Sequence, residues 1–223
     1  MINYALILAG GRGGRLMPLT FETPKAMVLY KNKPLIFEVI KSLQDYVNDI
    51  YVTVGYKKEL LGSYLLGLNV RGLINTEGKE NIWWLFNSSL KYLTEPIIVS
   101  TCDIIFELDI DSVIREYFAA GEPPCMLLAA KPLPNFDGDY IQQHDGVVHQ
   151  ISRIEKSPIV CSGLQILYPS KINALVSDAE NFYDLWSLLI KNNLLYCSTI
   201  ILEKWYTINT VEHLESANKL FNK

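Results

Sequence analysis

Histidine is scarce in this sequence. Its three histidines stand at 144, 149 and 213, scattered through polar segments, and leave no pattern for a histidine metal site or a serine–histidine–aspartate triad. All three are expected at the surface. Cysteine is hardly commoner: Cys102, Cys125, Cys161 and Cys197 are too widely spaced for a metal knuckle or a C-x-x-C redox pair. Cys125, Cys161 and Cys197 lie in apolar runs, where reduced cysteines serve as small core residues. No apolar run approaches the roughly 20 residues of a membrane span. The opening MINYALILAGG has no basic leader or small-residue cleavage site and reads as a strand. Nor is positive charge in excess: 20 Lys+Arg face 24 Asp+Glu, a net charge of −4, so no basic nucleic-acid surface is expected. These absences point to a cytoplasmic protein with no nucleic-acid or membrane partner. What remains, 223 residues of which 49% are hydrophobic and 20% charged, is the composition of a globular chain with a sizeable core.

The apolar segments change type along the chain. Residues 4–8 (YALIL) form a continuous apolar run ending in glycines, as a strand buried on both faces does. Residues 34–47 place Leu35, Val39, Ile40, Leu43 and Val47 on one helical stripe, with Pro34 in the first turn. A strand at 50–56, a helix near 57–67, a helix over 81–93 and a strand at 97–100 follow. Asp109 or Asp111 can cap a helix over 112–120, and 125–131 is a further strand. This alternation predicts an α/β fold: a Rossmann-like, mostly parallel sheet flanked by helices. From about residue 132 the texture turns β-rich, with strands at 139–142, 147–151, 159–168 and 196–202 and helices at 180–193 and 211–221. One domain over 1–223 is expected, in two halves, 1–131 and 132–223.

The most informative stretch is Leu8-Ala9-Gly10-Gly11-Arg12-Gly13-Gly14-Arg15-Leu16-Met17-Pro18-Leu19-Thr20, continuing to Thr23-Pro24-Lys25. Glycines after a buried strand let consecutive N–H groups approach an anion. Arg12, Arg15 and Lys25 add positive charge, arginine as a planar fork and lysine as a point charge. This is the chemistry of a polyphosphate cradle. It is neither G-x-G-x-x-G, since position 16 is Leu16, nor a P-loop, since no glycine precedes Lys-Ser or Lys-Thr. A parallel-sheet ligand sits beyond the carboxyl ends of the strands, where both this loop and Asp103 fall. Asp103, after the strand at 97–100, is a reasonable Mg²⁺ anchor.

Residues 8–25 resemble the signature of the nucleotidyltransferases that make nucleotide sugars, L-A-G-G-x-G-x-R-L-x-P-L-T-x-x-x-P-K, and Lys33-Pro34-Leu35-Ile36 matches that family's continuation. The resemblance implies that Leu8, Ala9, Gly10, Gly11 and Gly13 contact the nucleotide. It implies that Arg15 and Lys25 hold the triphosphate and steady the leaving pyrophosphate, and that Asp103 holds Mg²⁺. Where the family shows Gly-Asp this chain has Cys102-Asp103. Where the family carries a second metal aspartate, in W-x-D-x-G-T, this chain reads Trp205-Tyr206-Thr207-Ile208-Asn209-Thr210. Either metal binding leans on Asp103 and substrate phosphates, or activity is weakened or lost. On the acceptor side the resemblance implies roles for Asp139, Glu155, Lys156, Ser162 and Gly163. The expected reaction moves NMP from a nucleoside triphosphate to a phosphorylated small-molecule acceptor. The first expectation for the acceptor is a sugar-1-phosphate, as in the making of bacterial surface polysaccharide, with a homodimer as a family-level expectation. Residues 75–87 and FYDLW at 182–186 are closer to the phosphocholine cytidylyltransferase branch, where aromatic rings can box a quaternary ammonium. The alternatives are therefore a cytidylyltransferase for a small phosphorylated alcohol and a non-catalytic nucleotide-binding homologue. Of Trp83 and Trp84, one is expected in the core and one partly exposed.

Overall fold

The structure, a computed structural model, describes residues 1–134 and 138–220. In chain order the first half comprises β1 (Tyr4–Leu8), β2 (Leu29–Tyr30), β3 (Lys33–Pro34), α1 (Leu35–Leu43), β4 (Asp49–Val54), α2 (Lys58–Leu65), β5 (Gly72–Asn75), α3 (Trp83–Asn87), β6 (Ile97–Thr101), β7 (Ile104–Glu107), α4 (Ile110–Ala119) and β8 (Cys125–Ala130). The second half comprises β9 (Tyr140–His144), β10 (Val147–Ser152), β11 (Val160–Leu167), α5 (Pro169–Leu175), α6 (Phe182–Lys191), β12 (Leu195–Cys197), β13 (Lys204–Thr207) and α7 (Val211–Leu220). Nine strands form one sheet in the order β5-β4-β1-β6-β11-β8-β12-β10-β9. Only β10 and β11 run against the common direction. Strands from both halves of the chain thus share one sheet.

The continuous apolar runs are explained by two-sided burial. In β1, Ala5 and Ile7 enter one core and Leu6 and Leu8 the other. In β8, Met126, Leu128 and Ala130 alternate with Cys125, Leu127 and Ala129 across the same two cores. Successive side chains point to opposite faces, so a strand covered on both sides has no polar position to offer. The stripe of α1 is buried at Leu35, Val39, Ile40 and Leu43 as its spacing predicts, but the helix ends at Leu43, so Val47 is buried beyond it. Asp109, not Asp111, caps α4, its side chain accepting from the Ser112 amide.

Two predicted elements are interrupted. The helix expected over 81–93 breaks at Ser88, whose hydroxyl accepts from Leu90 N–H at 3.2 Å and starts a separate 3₁₀ turn. A short hydroxyl side chain competes with the helical hydrogen bond in this way. The strand expected over 196–202 stops at Cys197. There Glu116 captures the Thr199 N–H at 2.7 Å and its hydroxyl at 2.6 Å, and the chain rejoins the sheet only where Leu202 bridges Ala130. Position 221 of the closing helix lies outside the described residues. The four cysteines are free thiols; Cys161 is partly exposed and the others are buried. Trp84 is fully buried and Trp83 half-buried. No helix among the described residues is long and apolar enough to cross a membrane.

Candidate active site

The sheet lifts the glycine loop and Asp103 to one edge because β1 and β6 are adjacent and parallel, with Leu8 level with Thr101. The start of the loop is clamped. Ala9 N–H donates to the buried Thr53 hydroxyl at 2.8 Å, and Tyr56 N–H donates to the Gly10 carbonyl at 3.0 Å. A Cβ on Gly10 would fall 2.5 Å from the Thr76 hydroxyl oxygen, so no side chain fits there. Gly13 takes φ +73°, and a Cβ on it would meet the Lys25 Cβ at 2.7 Å. Gly11 and Gly14 differ, because nothing lies within 4 Å of where their Cβ atoms would be. The loop therefore uses two glycines to pack against the protein and presents two to open space. Leu16, fully buried with Tyr30, Tyr206 and Ile208, pins its far end.

Four side chains from three distant segments converge beyond this edge. Lys25 is ion-paired with the Asp103 carboxylate and donates to Asn209 Oδ1 at 2.9 Å. Arg15 donates to the same Asn209 oxygen, also at 2.9 Å. Burial pushes the Asp103 carboxyl upward, but the Lys25 ammonium beside it and hydrogen bonds to the charged form leave it below the ordinary carboxylate range. Neighbouring Cys102 is pushed up to about 12 by burial and by the Asp103 charge, so it stays a thiol at neutral pH. Arg12 stands apart from this cluster, over the Tyr56 ring at 5.2 Å.

Asn209 reaches the site through pairing that no local pattern displays. β13 runs antiparallel to β7, which places Thr207 opposite Ile104, and Ile208 N–H then donates to the Asp103 carbonyl at 2.8 Å. Its amide is fully oriented: Nδ2 donates to the Thr207 hydroxyl at 2.9 Å, and Oδ1 faces the two cations. His213 corrects the expectation of three surface histidines. His144 and His149 are exposed, whereas His213 is half-buried, its Nδ1 accepting from Asn209 N–H at 3.4 Å and its ring edge-on to Tyr206. The reason is that the first turn of α7 packs onto the end of β13.

The residues expected on the acceptor side divide. Gly163, at φ +91° on β11, lies beside Thr101, whose hydroxyl oxygen a Cβ would meet at 2.6 Å. The Ser162 side chain is engaged inside the sheet, donating to the Leu128 carbonyl at 2.7 Å and accepting from Leu164 N–H, while its carbonyl accepts from Trp205 Nε1. Asp139, next to β9, binds Arg153 and Tyr183 rather than the Lys25 cluster. Glu155 and Lys156 sit exposed after β10, with Gln142 Nε2 donating to Glu155 at 3.1 Å. The structure thus unites Arg15, Lys25 and Asp103 with Asn209, places Gly163 alongside, and holds Asp139, Glu155 and Lys156 farther along the β-rich half.

Residues 4–123 match the family model described as Nucleotidyl transferase. The chain belongs to the nucleotidyl transferase family. A mannose-1-phosphate guanyltransferase of Pichia angusta is 27% identical over 207 residues, 86% of this chain and 57% of that protein. A CTP:phosphoglutamine cytidylyltransferase of Campylobacter jejuni is 39% identical over 114 residues, 47% of this chain and 45% of that protein. The solved CTP:phosphocholine cytidylyltransferase of Streptococcus pneumoniae shares the fold, with a TM-score of 0.78, 24% identity and 100% of both chains covered. The chain spans between 27% and 57% of the length of the curated relatives it matches.

Proposed function

We propose that this nucleotidyl transferase family member moves a nucleotidyl group from a nucleoside triphosphate to the phosphate of a small acceptor and releases pyrophosphate, acting as one unit over 1–223. The observation that carries this is the convergence of Arg15, Lys25 and Asp103 where Gly11 and Gly14 face open space. A phosphomonoester with a second pKa near 6 is largely dianionic at pH 7, so its oxygen needs no general base. That oxygen attacks the α-phosphorus in line, the bond to the bridging α–β oxygen breaks, and pyrophosphate carries away the electron pair. Arg15 and Lys25 stabilise the charge that grows on the departing group. Asn209 holds both cations toward one point before substrate arrives, which lowers the ordering cost of binding.

The described residues contain no group of three or more His, Cys, Asp or Glu that could hold a metal alone. One carboxylate nonetheless suits Mg²⁺, which is commonly held by one or two carboxylates and completed by substrate phosphates and water. Asp103 would hold it, and the ion would supply positive charge to the phosphate oxygens; Thr207 and Asn209, bonded to each other, contribute no charge. For the acceptor a sugar-1-phosphate comes first, because the relative matched over 86% of this chain is a mannose-1-phosphate guanyltransferase. Asp139, Glu155, Lys156, the Ser162 backbone and Gly163 form the acceptor wall in this reading, and Leu8 and Ala9 back the nucleotide. Free thiols and a triphosphate substrate suit the cytoplasm.

The test is pyrophosphate release by the purified chain with Mg²⁺, each common triphosphate in turn and a panel of phosphorylated acceptors. Turnover is expected with one pairing, and Asp103→Ala should abolish it while the far-ultraviolet circular dichroism stays unchanged. A second reading, nucleotide binding without turnover, is motivated by the neutral Thr207–Asn209 pair beside Asp103. Calorimetric triphosphate binding with no product from any acceptor would favour it.

A further inference from the structure

A second polar cluster stands away from the Lys25 site. Arg153, just past β10, donates through Nε to Asp139 Oδ1 at 3.0 Å and through Nη2 to the Tyr183 hydroxyl at 2.8 Å. Tyr183, on α6, donates in turn to the same Asp139 oxygen at 2.5 Å. Three elements are thereby tied together, and Tyr183 is braced by Trp186 edge-on at 5.5 Å. Burial and the Asp139 hydrogen bond push the Tyr183 hydroxyl upward, so it stays a donor at neutral pH.

The arrangement commits one edge of the Arg153 guanidinium. A guanidinium has five N–H donors and no acceptor. Asp139 and Tyr183 occupy the edge made by Nε and Nη2. The end-on pair, one N–H on each terminal nitrogen, has no partner among the described residues. The Arg153 side chain is 64% exposed, while Asp139 at 20% is mostly covered. A planar fork held at its base and open at its tip matches a carboxylate bidentately.

The sheet sets this fork along the edge that also carries Asp103. β6, which leads into Asp103, and β9, beside which Asp139 sits, pair with the same edge of β11, β6 along Leu164–Leu167 and β9 at Val160, and the Asp139 carbonyl accepts from Cys161 N–H at 2.8 Å. A small acceptor whose phosphate lies at the Lys25 cluster extends along this edge toward Arg153. A trimethylammonium group fits poorly here, because the Arg153 guanidinium already lies 5.5 Å from the Tyr183 ring centroid and adds a like charge.

We propose that Arg153, positioned by Asp139 and Tyr183, receives a carboxylate carried by the acceptor at the end remote from its phosphate. This rests on the transferase reading above and narrows its acceptor class. Two acceptor pairs, each differing in one carboxylate, test it: glucuronic acid 1-phosphate against glucose 1-phosphate, and O-phosphoserine against phosphoethanolamine. Pyrophosphate release is measured with Mg²⁺ and each triphosphate. In at least one pair the carboxylated member should have a KM lower by about tenfold or more, as hydrogen bonds to a charged group warrant. Arg153→Gln should bring that ratio to about one, and Arg153→Lys should restore part of it. Equal or poorer use of the carboxylated member in both pairs overturns the proposal. So does an Arg153→Gln variant that raises both KM values together, the mark of a merely structural role. Triphosphate binding without turnover of these four or of any other acceptor in the panel would instead defeat the transferase reading.

Discussion

Replacing Lys25 by methionine isolates the electrostatics of the site from any catalysis. The Lys25 and Asp103 side chains are 15% and 13% exposed, so the change strands a carboxylate that water hardly reaches. Removing one partner of a fully buried pair costs about 3–5 kcal/mol, and the residual exposure here lowers the expectation to about 2–4 kcal/mol at pH 7. The pH dependence is more diagnostic than the size. With Lys25 present, Asp103 titrates below its unfolded value, near 3.9. Its contribution to stability is then fully present above that value and is lost as pH falls through the lower folded value. Without Lys25, burial is the leading influence and the folded carboxyl moves above the unfolded one. The variant is then penalised most near neutrality and recovers relative to wild type as the pH falls toward 5. Urea denaturation at pH 7 and pH 5 measures both states. Asp103→Asn introduced into the Lys25→Met protein should recover about 1–2 kcal/mol at pH 7, because the neutral amide removes the stranded charge. An equal loss at the two pH values, or a loss below about 0.5 kcal/mol, would refute the reasoning.

Gly13→Ala should destabilise by about 2–3 kcal/mol in urea melts, combining the positive φ with displacement of Lys25. Gly11→Ala should change stability by no more than about 0.5 kcal/mol, yet weaken triphosphate binding in calorimetry, since its methyl enters open space. Asn209→Ala removes the oxygen shared by Arg15 and Lys25 and should weaken triphosphate binding about tenfold, or about 1.4 kcal/mol. Cys102 and Cys197, both pushed up to about 12 chiefly by burial, should resist iodoacetamide at pH 8 in the folded protein and react in urea, as mass spectrometry would count.

Much of the architecture was legible because its signals are local. Two-sided burial writes itself as unbroken apolar runs in β1 and β8, and the α1 stripe as helical spacing. The loop at 8–25 was legible for the same reason: its glycines and its cations follow within one short segment. Element ends were less visible. Ser88 stops α3 through a bond that competes with the helix, and Glu116 stops β12 from another part of the chain.

The chain's own letters determined the alternating fold and singled out the glycine loop, Arg15, Lys25 and Asp103, which the structure brings to one sheet edge. Only tertiary structure assigned the glycines their separate tasks, two packed against protein and two open. It alone brought Asn209 to both cations, because the β7–β13 pairing joins segments that share no local pattern. It also drew Arg153 and Tyr183 onto Asp139, from positions whose residue types carry no shared spacing. Covalent order sets what each segment can form by itself, whereas the meeting of distant side chains is set by sheet register and by which faces are buried.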